Sequence, residues 1–266
     1  MSSPSSGRPD DEHQHPVARM LLIGLIAALI GDAIVLLIDW FPVGASKSAH
    51  EIDTLYDVLL LVSVPIFVLV MTVAIYSVVR YRARPGDMGD GPPIHGNTRL
   101  EVIWVTIPFL IVTVLAIYAW IVLNDVEAKK PNEMTVKVYG QQFTWHFAYP
   151  SLGNLKSDQL YLPKDQPVKF DVATQDVIHS FWVPNFRLKT DAVPGITTHI
   201  RVTPNRLGRY QVVCAELCGL GHATMREFAN VVTRGQFNAW VAKQKKIQAP
   251  PGGFPSGPLV KSKGSS

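Results

Sequence analysis

Cysteine is all but absent. Cys214 and Cys218 are the only thiols in 266 residues. That scarcity excludes a disulfide framework and any cage built from repeated cysteine pairs. No CxxCH motif is present, which excludes covalently attached haem. Charge is scarce as well: 17% of residues are Asp, Glu, Lys or Arg, against 47% hydrophobic. No internal repeat is visible.

What is present is unevenly spread. Three long apolar runs, 20–38, 55–79 and 102–123, each approach the roughly 20 residues a helix needs to cross about 30 Å of hydrocarbon. Pro65 and Pro108 fall inside the second and third runs, which a helical bundle tolerates because neighbours satisfy the freed backbone groups. Arg80, Arg82, Arg84 and Arg99 lie between those two runs, whereas the preceding loop holds Lys47 with Asp39, Glu51 and Asp53. The positive-inside rule places the Arg-rich loop in the cytoplasm and everything after Leu123 outside. The expected organisation is a polar tail over 1–16, a first membrane helix over 17–40, a helical hairpin over 54–124, a β-domain over 130–247 and a second tail over 248–266. The first run has a rival reading as a signal peptide, because VGASKSA supplies small residues for cleavage. Its length and Asp32 favour a retained helix. Asp32 and Asp57 lie within or beside membrane runs, where an acid is a functional candidate.

Beyond Glu133 the pattern changes to short runs rich in Val, Thr, Phe and Tyr, punctuated by Pro, Gly, Asn and Asp. MTVKVYG, FTWHFAYP, PVKFDVAT, TTHIRVTP and GRYQVVCAEL predict the strands of a sandwich or barrel. QFNAWVAKQKK predicts an amphipathic closing helix. Within this domain stands CAELCGLGHATM, residues 214–225, which adds His222 and Met225 to the two thiols. A disulfide across three intervening residues constrains little chain and has demanding geometry. Zinc normally takes four Cys or His donors in repeated short pairs. One thiol pair with an imidazole and a thioether points to copper. One more strong ligand is needed. His179 in VIHSFWVP is the first candidate, His199 in TTHIRV the second and His146 in FTWHFAY the third.

IHSFWVPNFRLKTDAVPG followed by CAELCGLGHATM resembles subunit II of the haem–copper cytochrome c oxidases. HGNTRLEVIWVTIP resembles the start of that family's last membrane helix, and GQQFTWHFAYP its aromatic segment. The resemblance spans about 95–230. It implies a cupredoxin fold, an all-β Greek-key barrel, carried on a two-helix membrane hairpin, to which the first helix is an addition. It also implies a binuclear copper centre (CuA). Cys214 and Cys218 would bridge two copper ions, His179 and His222 would each hold one, and Met225 and the Glu216 backbone carbonyl would complete the set. The Glu216 carboxylate would ligate magnesium or manganese at the interface with subunit I. Glu101, three residues before Trp104, would mark entry to a proton pathway. In the family's G-x-Q-W-x-W frame the first Trp receives electrons. Here the frame reads Gly140, Gln142, Phe143, Trp145, so Phe143 replaces that Trp, and Trp145 and Tyr139 become substitutes to test.

The function implied is electron entry into a cytochrome c oxidase of aerobic respiration. Electrons would come from cytochrome c and pass to haem and the oxygen-reducing site of subunit I. The chain has no identifiable haem site and cannot reduce oxygen alone. Its partners would be subunit I, other oxidase subunits, cytochrome c and the lipid bilayer of the cell membrane, with no nucleic acid. A quinol oxidase subunit II has the same fold but usually lacks the copper ligands. A nitrous oxide reductase copper domain is normally soluble and joined to a propeller. A membrane-anchored copper carrier needs neither a carboxylate aimed at a second subunit nor the HGNTRLEVIW helix. Residues 124–266 hold eighteen Lys and Arg against ten Asp and Glu. A domain of that charge repels a basic donor at long range.

Overall fold

The computed structural model describes residues 16–82, 86, 93 and 95–248. Most of the two tails expected at the ends, with Arg84, lies outside these residues. The described chain divides into two units. One comprises residues up to Trp40 with Glu51–Leu123, the other Phe41–His50 with the residues from Asn124 onward.

The first unit holds three apolar helices: α1 (Pro16–Leu37), α2 (Ala49–Arg80) and α3 (Thr98–Glu127). All three are long and apolar enough to cross a membrane. Such runs fold as helices because, in hydrocarbon, only internal hydrogen bonds can satisfy the backbone. Pro65 and Pro108 are accommodated inside α2 and α3. Asn97 starts α3, its side-chain oxygen accepting from the Arg99 and Leu100 N–H groups at 3.1 and 3.3 Å; this is an N-cap. Glu101 follows, exposed, in the first turn. Glycine lets α1 approach α2 closely: a Cβ on Gly31 would stand 2.7 Å from the Val64 side chain. Asp32, beside it, has one carboxylate oxygen buried with no hydrogen-bond partner among the described residues. Asp57 is half-buried in α2.

The second unit is the expected cupredoxin-type Greek-key domain, built as two five-stranded sheets. In the first, β3 (Leu155–Ser157), β2 (Thr144–Tyr149), β1 (Met134–Gln141), β5 (Val168–Thr174) and β8 (Thr198–Val202) lie in that order. In the second the order is β4 (Leu160–Pro163), β10 (Arg226–Val232), β9 (Gly208–Cys214), β6 (His179–Val183) and β7 (Leu188–Ala192). β1 alternates buried Val136, Val138 and Gly140 with more accessible Thr135, Lys137 and Tyr139, and β5 does the same with Val168, Phe170 and Val172. That period of two marks one face of each strand as core. The two sheets meet through aromatic rings. Phe181 of the second contacts Trp145, Phe147 and Phe170 of the first at centroid separations of 5.5, 6.5 and 5.3 Å.

The closing helix α4 (Arg234–Gln248) buries Phe237 and Trp240. Trp240 stacks on Tyr161 at 4.6 Å and meets Tyr149 edge-on. The fully buried Tyr149 hydroxyl donates to the Tyr161 carbonyl and accepts from the Tyr161 N–H. This pairing bridges β2 and β4, strands of different sheets.

The small residues after α1, read as possible cleavage sites, are built into this domain. Ala45 and Ser46 are buried. The Ala45 N–H donates to Asn185 O at 2.7 Å, the Asn205 N–H to Ala45 O at 3.0 Å, and the Ser46 hydroxyl to Phe186 O at 2.9 Å. The Arg187 guanidinium donates to Pro42 O at 2.8 Å and lies 4.7 Å from the Phe41 ring centroid.

Phe181 is fully buried where the sheets meet, so Phe181→Ala should cost about 3–5 kcal/mol of domain stability. Denaturant unfolding of the full chain in detergent measures this. A loss below about 1 kcal/mol would mean that the rings do not hold the sheets together.

Candidate metal centre

The β6–β9 pairing assembles the site. Phe181 pairs with Cys214 and Trp182 with Val213, and the Ala215 N–H donates to Ser180 O at 3.0 Å. His179, at the start of β6, is thereby held beside Cys214 at the end of β9. The following loop, 215–225, returns into β10. Antiparallel pairing of β9 with β10 closes it, and the Cys214 N–H donates to Met225 O at 3.2 Å. One loop thus returns its last residue beside its first. A short 3-10 turn over His222–Thr224 turns the imidazole inward.

The donor atoms converge. Cys214 Sγ lies 3.9 Å from Cys218 Sγ and 3.8 Å from His179 Nδ1. Cys218 Sγ lies 3.7 Å from both His222 Nδ1 and Met225 Sδ. The Glu216 carbonyl is 3.2 Å from Cys214 Sγ. Bonds of about 2.3 Å to sulfur and about 2.0 Å to imidazole nitrogen put two donors on one tetrahedral ion roughly 3.5–3.8 Å apart. The spacing therefore fits soft metal ions bound between these groups. Cys214, Cys218, Met225 and His179 are all buried, and His222 is half-buried.

Burial and, next, the neighbouring Cys214 raise the Cys218 thiol pKa to about 11. Two adjacent thiolates repel each other in a site of low polarity, so a bound cation is what would hold both deprotonated. The opposite tendency governs Asp176. Burial works against its charge, but hydrogen bonds from the Gln142 N–H, the Thr174 hydroxyl, the His179 ring and the Val177 N–H outweigh it, taking the pKa down to about 2.

The three candidate histidines separate cleanly. His179 stands with the thiols. His199 Nδ1 lies 2.8 Å from Asp171 on the neighbouring strand β5, and His146 Nδ1 2.7 Å from Asp158, just beyond β3. The Glu216 side chain is exposed. The electron-entry candidates separate too. Tyr139 is half-buried on β1. Trp145 is fully buried in the core, 6.0 Å from His179 between ring centroids, and its indole N–H has no partner among the described residues. A side chain with no exposed surface cannot touch a docked protein. Phe143, by contrast, is 37% exposed and lies across the ligand loop. A Cβ on Gly221 would stand 2.4 Å from the Phe143 ring, and one on Gly219 would stand 3.1 Å from it. The Gln142 side-chain amide reaches the same loop, donating to Cys218 O at 2.6 Å.

Comparison with known proteins identifies the family. The family described as cytochrome c oxidase subunit II, transmembrane domain, matches residues 32–122, and its periplasmic domain matches 152–232. Cytochrome c oxidase subunit 2 of Synechocystis sp. is 32% identical over 272 residues, covering 82% of each chain. The chain belongs to the cytochrome c oxidase subunit II family. The subunit 2 of Thermostichus vulcanus is 33% identical, over 79% of this chain and 80% of that one. The solved periplasmic domain of subunit II of cytochrome oxidase (CoxB) of Bradyrhizobium japonicum is 29% identical. It covers 44% of this chain and 97% of that domain, with a TM-score of 0.43. As a subunit II, the chain is a membrane protein with a periplasmic domain and part of an oxidase complex.

Sequence reasoning missed three contacts: Gln142 with Cys218, Phe143 with the ligand-loop glycines, and Asp176 with His179. Only the last left a signal, an Asp three residues before the His. Gly221 has an ordinary negative φ, so Gly221→Ala tests packing alone. It should cost about 1–3 kcal/mol through the Phe143 clash, and Phe143→Ala in the same chain should recover most of it. Thermal unfolding of the single and double variants decides. Additive losses would mean that the ring does not rest on this loop.

Proposed function

We propose that this chain is the electron-entry subunit of a cytochrome c oxidase of the cell membrane. It would accept electrons from cytochrome c at its periplasmic domain and pass them to subunit I. The observation that carries this reading is the convergence of two thiols, two imidazoles, a thioether and a carbonyl at one end of the β-domain. Cys214 and Cys218 would bridge two copper ions, with His179, His222, Met225 and the Glu216 carbonyl as terminal ligands. When bound, such a pair supplies one-electron chemistry with charge shared over both ions. The protein's contribution is a loop anchored at both ends in β-structure, so that the donors keep their spacing in either oxidation state.

The exposed Glu216 carboxylate would take up magnesium or manganese together with ligands from subunit I, and Glu101 would mark a proton entry on the cytoplasmic side. Phe143 becomes the favoured contact for the donor, because it is accessible and rests on the ligand loop. We also propose that α1 is retained, with a membrane hairpin over 54–124 and a copper domain over 130–247. The small residues that follow α1 are already part of the folded domain.

Copper-loaded full chain in detergent should hold two coppers per chain and give a seven-line EPR hyperfine pattern, the signature of one electron shared by two copper nuclei. Cys218→Ser should abolish that pattern. A four-line spectrum from the unaltered chain would indicate a mononuclear site and favour a copper carrier. In the assembled oxidase, Glu216→Gln should spare the copper spectrum and weaken manganese uptake, read by manganese EPR. Undiminished manganese would remove the carboxylate from that site.

A further inference from the structure

Asp176 has no part in the donor set, yet it accepts more hydrogen bonds than a loop carboxylate ordinarily would. Oδ1 lies 2.9 Å from His179 Nε2. The same oxygen accepts from the Thr174 hydroxyl and the Val177 N–H, each at 2.7 Å. Oδ2 accepts from the Gln142 N–H, also at 2.7 Å. Gln142 then reaches Cys218 O through its side chain. Asp176 and Gln142 therefore form a bracket from the His179 ring, across the 141–143 turn, to the backbone of the second thiol.

An imidazole that donates from one nitrogen presents a lone pair at the other. A partner carboxylate fixes which nitrogen that is, and strengthens the ring as a donor to metal. His179 Nδ1 is the nitrogen beside Cys214 Sγ, so a proton on Nε2, donated to Asp176, would leave the Nδ1 lone pair facing the thiols. The ring is fully buried, which leaves no water to substitute for that carboxylate. Two more carboxylate–histidine pairs of the domain, Asp158–His146 and Asp171–His199, involve accessible rings and have no thiol behind them.

We infer that Asp176 is the positioning residue of the metal centre: it locks His179 in the Nε2–H tautomer and, through Gln142, ties that ring to the Cys218 segment. The inference rests on the copper reading above for its purpose but not for its geometry, so the two can fail separately. The tautomer is readable without metal. In the metal-free full chain, imidazole 15N shifts should show His179 protonated at Nε2, with slow exchange of that proton. A proton on Nδ1 would overturn the inference whatever the copper content.

Asp176→Asn should speed exchange of the His179 proton and weaken copper retention against a chelator about 10–100-fold, the usual cost of losing such a partner. Loss of the negative charge beside the ring should also raise the midpoint potential. Asp158→Asn, beside His146, should change none of these. If Asp176→Asn folds with unaltered exchange, retention and potential, the carboxylate is a loop fastener only and the positioning role is wrong. If the variant does not fold, the 15N measurement on the unaltered chain still decides.

Discussion

The site depends on one short piece of β-structure. Two register pairs, Phe181 with Cys214 and Trp182 with Val213, join β6 to β9. They bring together a histidine and a thiol 35 positions apart in sequence. Everything else in the centre is local to the 214–225 loop, which β9 and β10 close as a hairpin closes its turn. The same residues serve the fold: Phe181 is both the partner of Cys214 and the ring on which Trp145, Phe147 and Phe170 converge. Core packing and donor placement are therefore not separable. A change that loosens the sheet contact moves His179 relative to Cys214.

Much of the site was legible beforehand, for a physical reason. Donors within one loop must be close in sequence, so Cys214, Cys218, His222 and Met225 announce themselves by spacing. His179 was harder, because a lone histidine among apolar residues is usually core, and only the need for another donor raised it above His199 and His146. In the structure those two pair with Asp171 and Asp158 on accessible faces, and neither stands with the thiols as His179 does. The membrane helices were legible from length and apolarity. The path of residues 41–50 was not. Ser46 donates to a carbonyl 140 positions away, and long-range backbone pairing of small residues leaves no periodic trace. Phe143 could be flagged only as a departure from a frame. Its contact with Gly221 is steric and depends on a turn whose shape no local pattern encodes.

The net charge of the outer domain shows how a sum can mislead. An excess of eight positive charges over 124–266 suggests a surface that repels a basic donor. The segments nearest the metal donors, 140–144, 175–178 and 215–225, contain two acids, Asp176 and Glu216, and no Lys or Arg. Beside the exposed Glu216, Gln142 and Gln175, they present an apolar patch: Leu217 and Leu220 stand well out, with Ile178, Val177 and Phe143 partly exposed. At physiological ionic strength charges are screened beyond about 8 Å, so a docking protein would sense the local segments more than the domain's total. Contact by apolar surface is insensitive to salt, whereas steering by distant charge is not. For a basic donor, long-range repulsion would thus slow encounter more than it weakens the docked state. Faster association with added salt, at a nearly unchanged dissociation rate, is the kinetic signature that follows from this separation of field and contact.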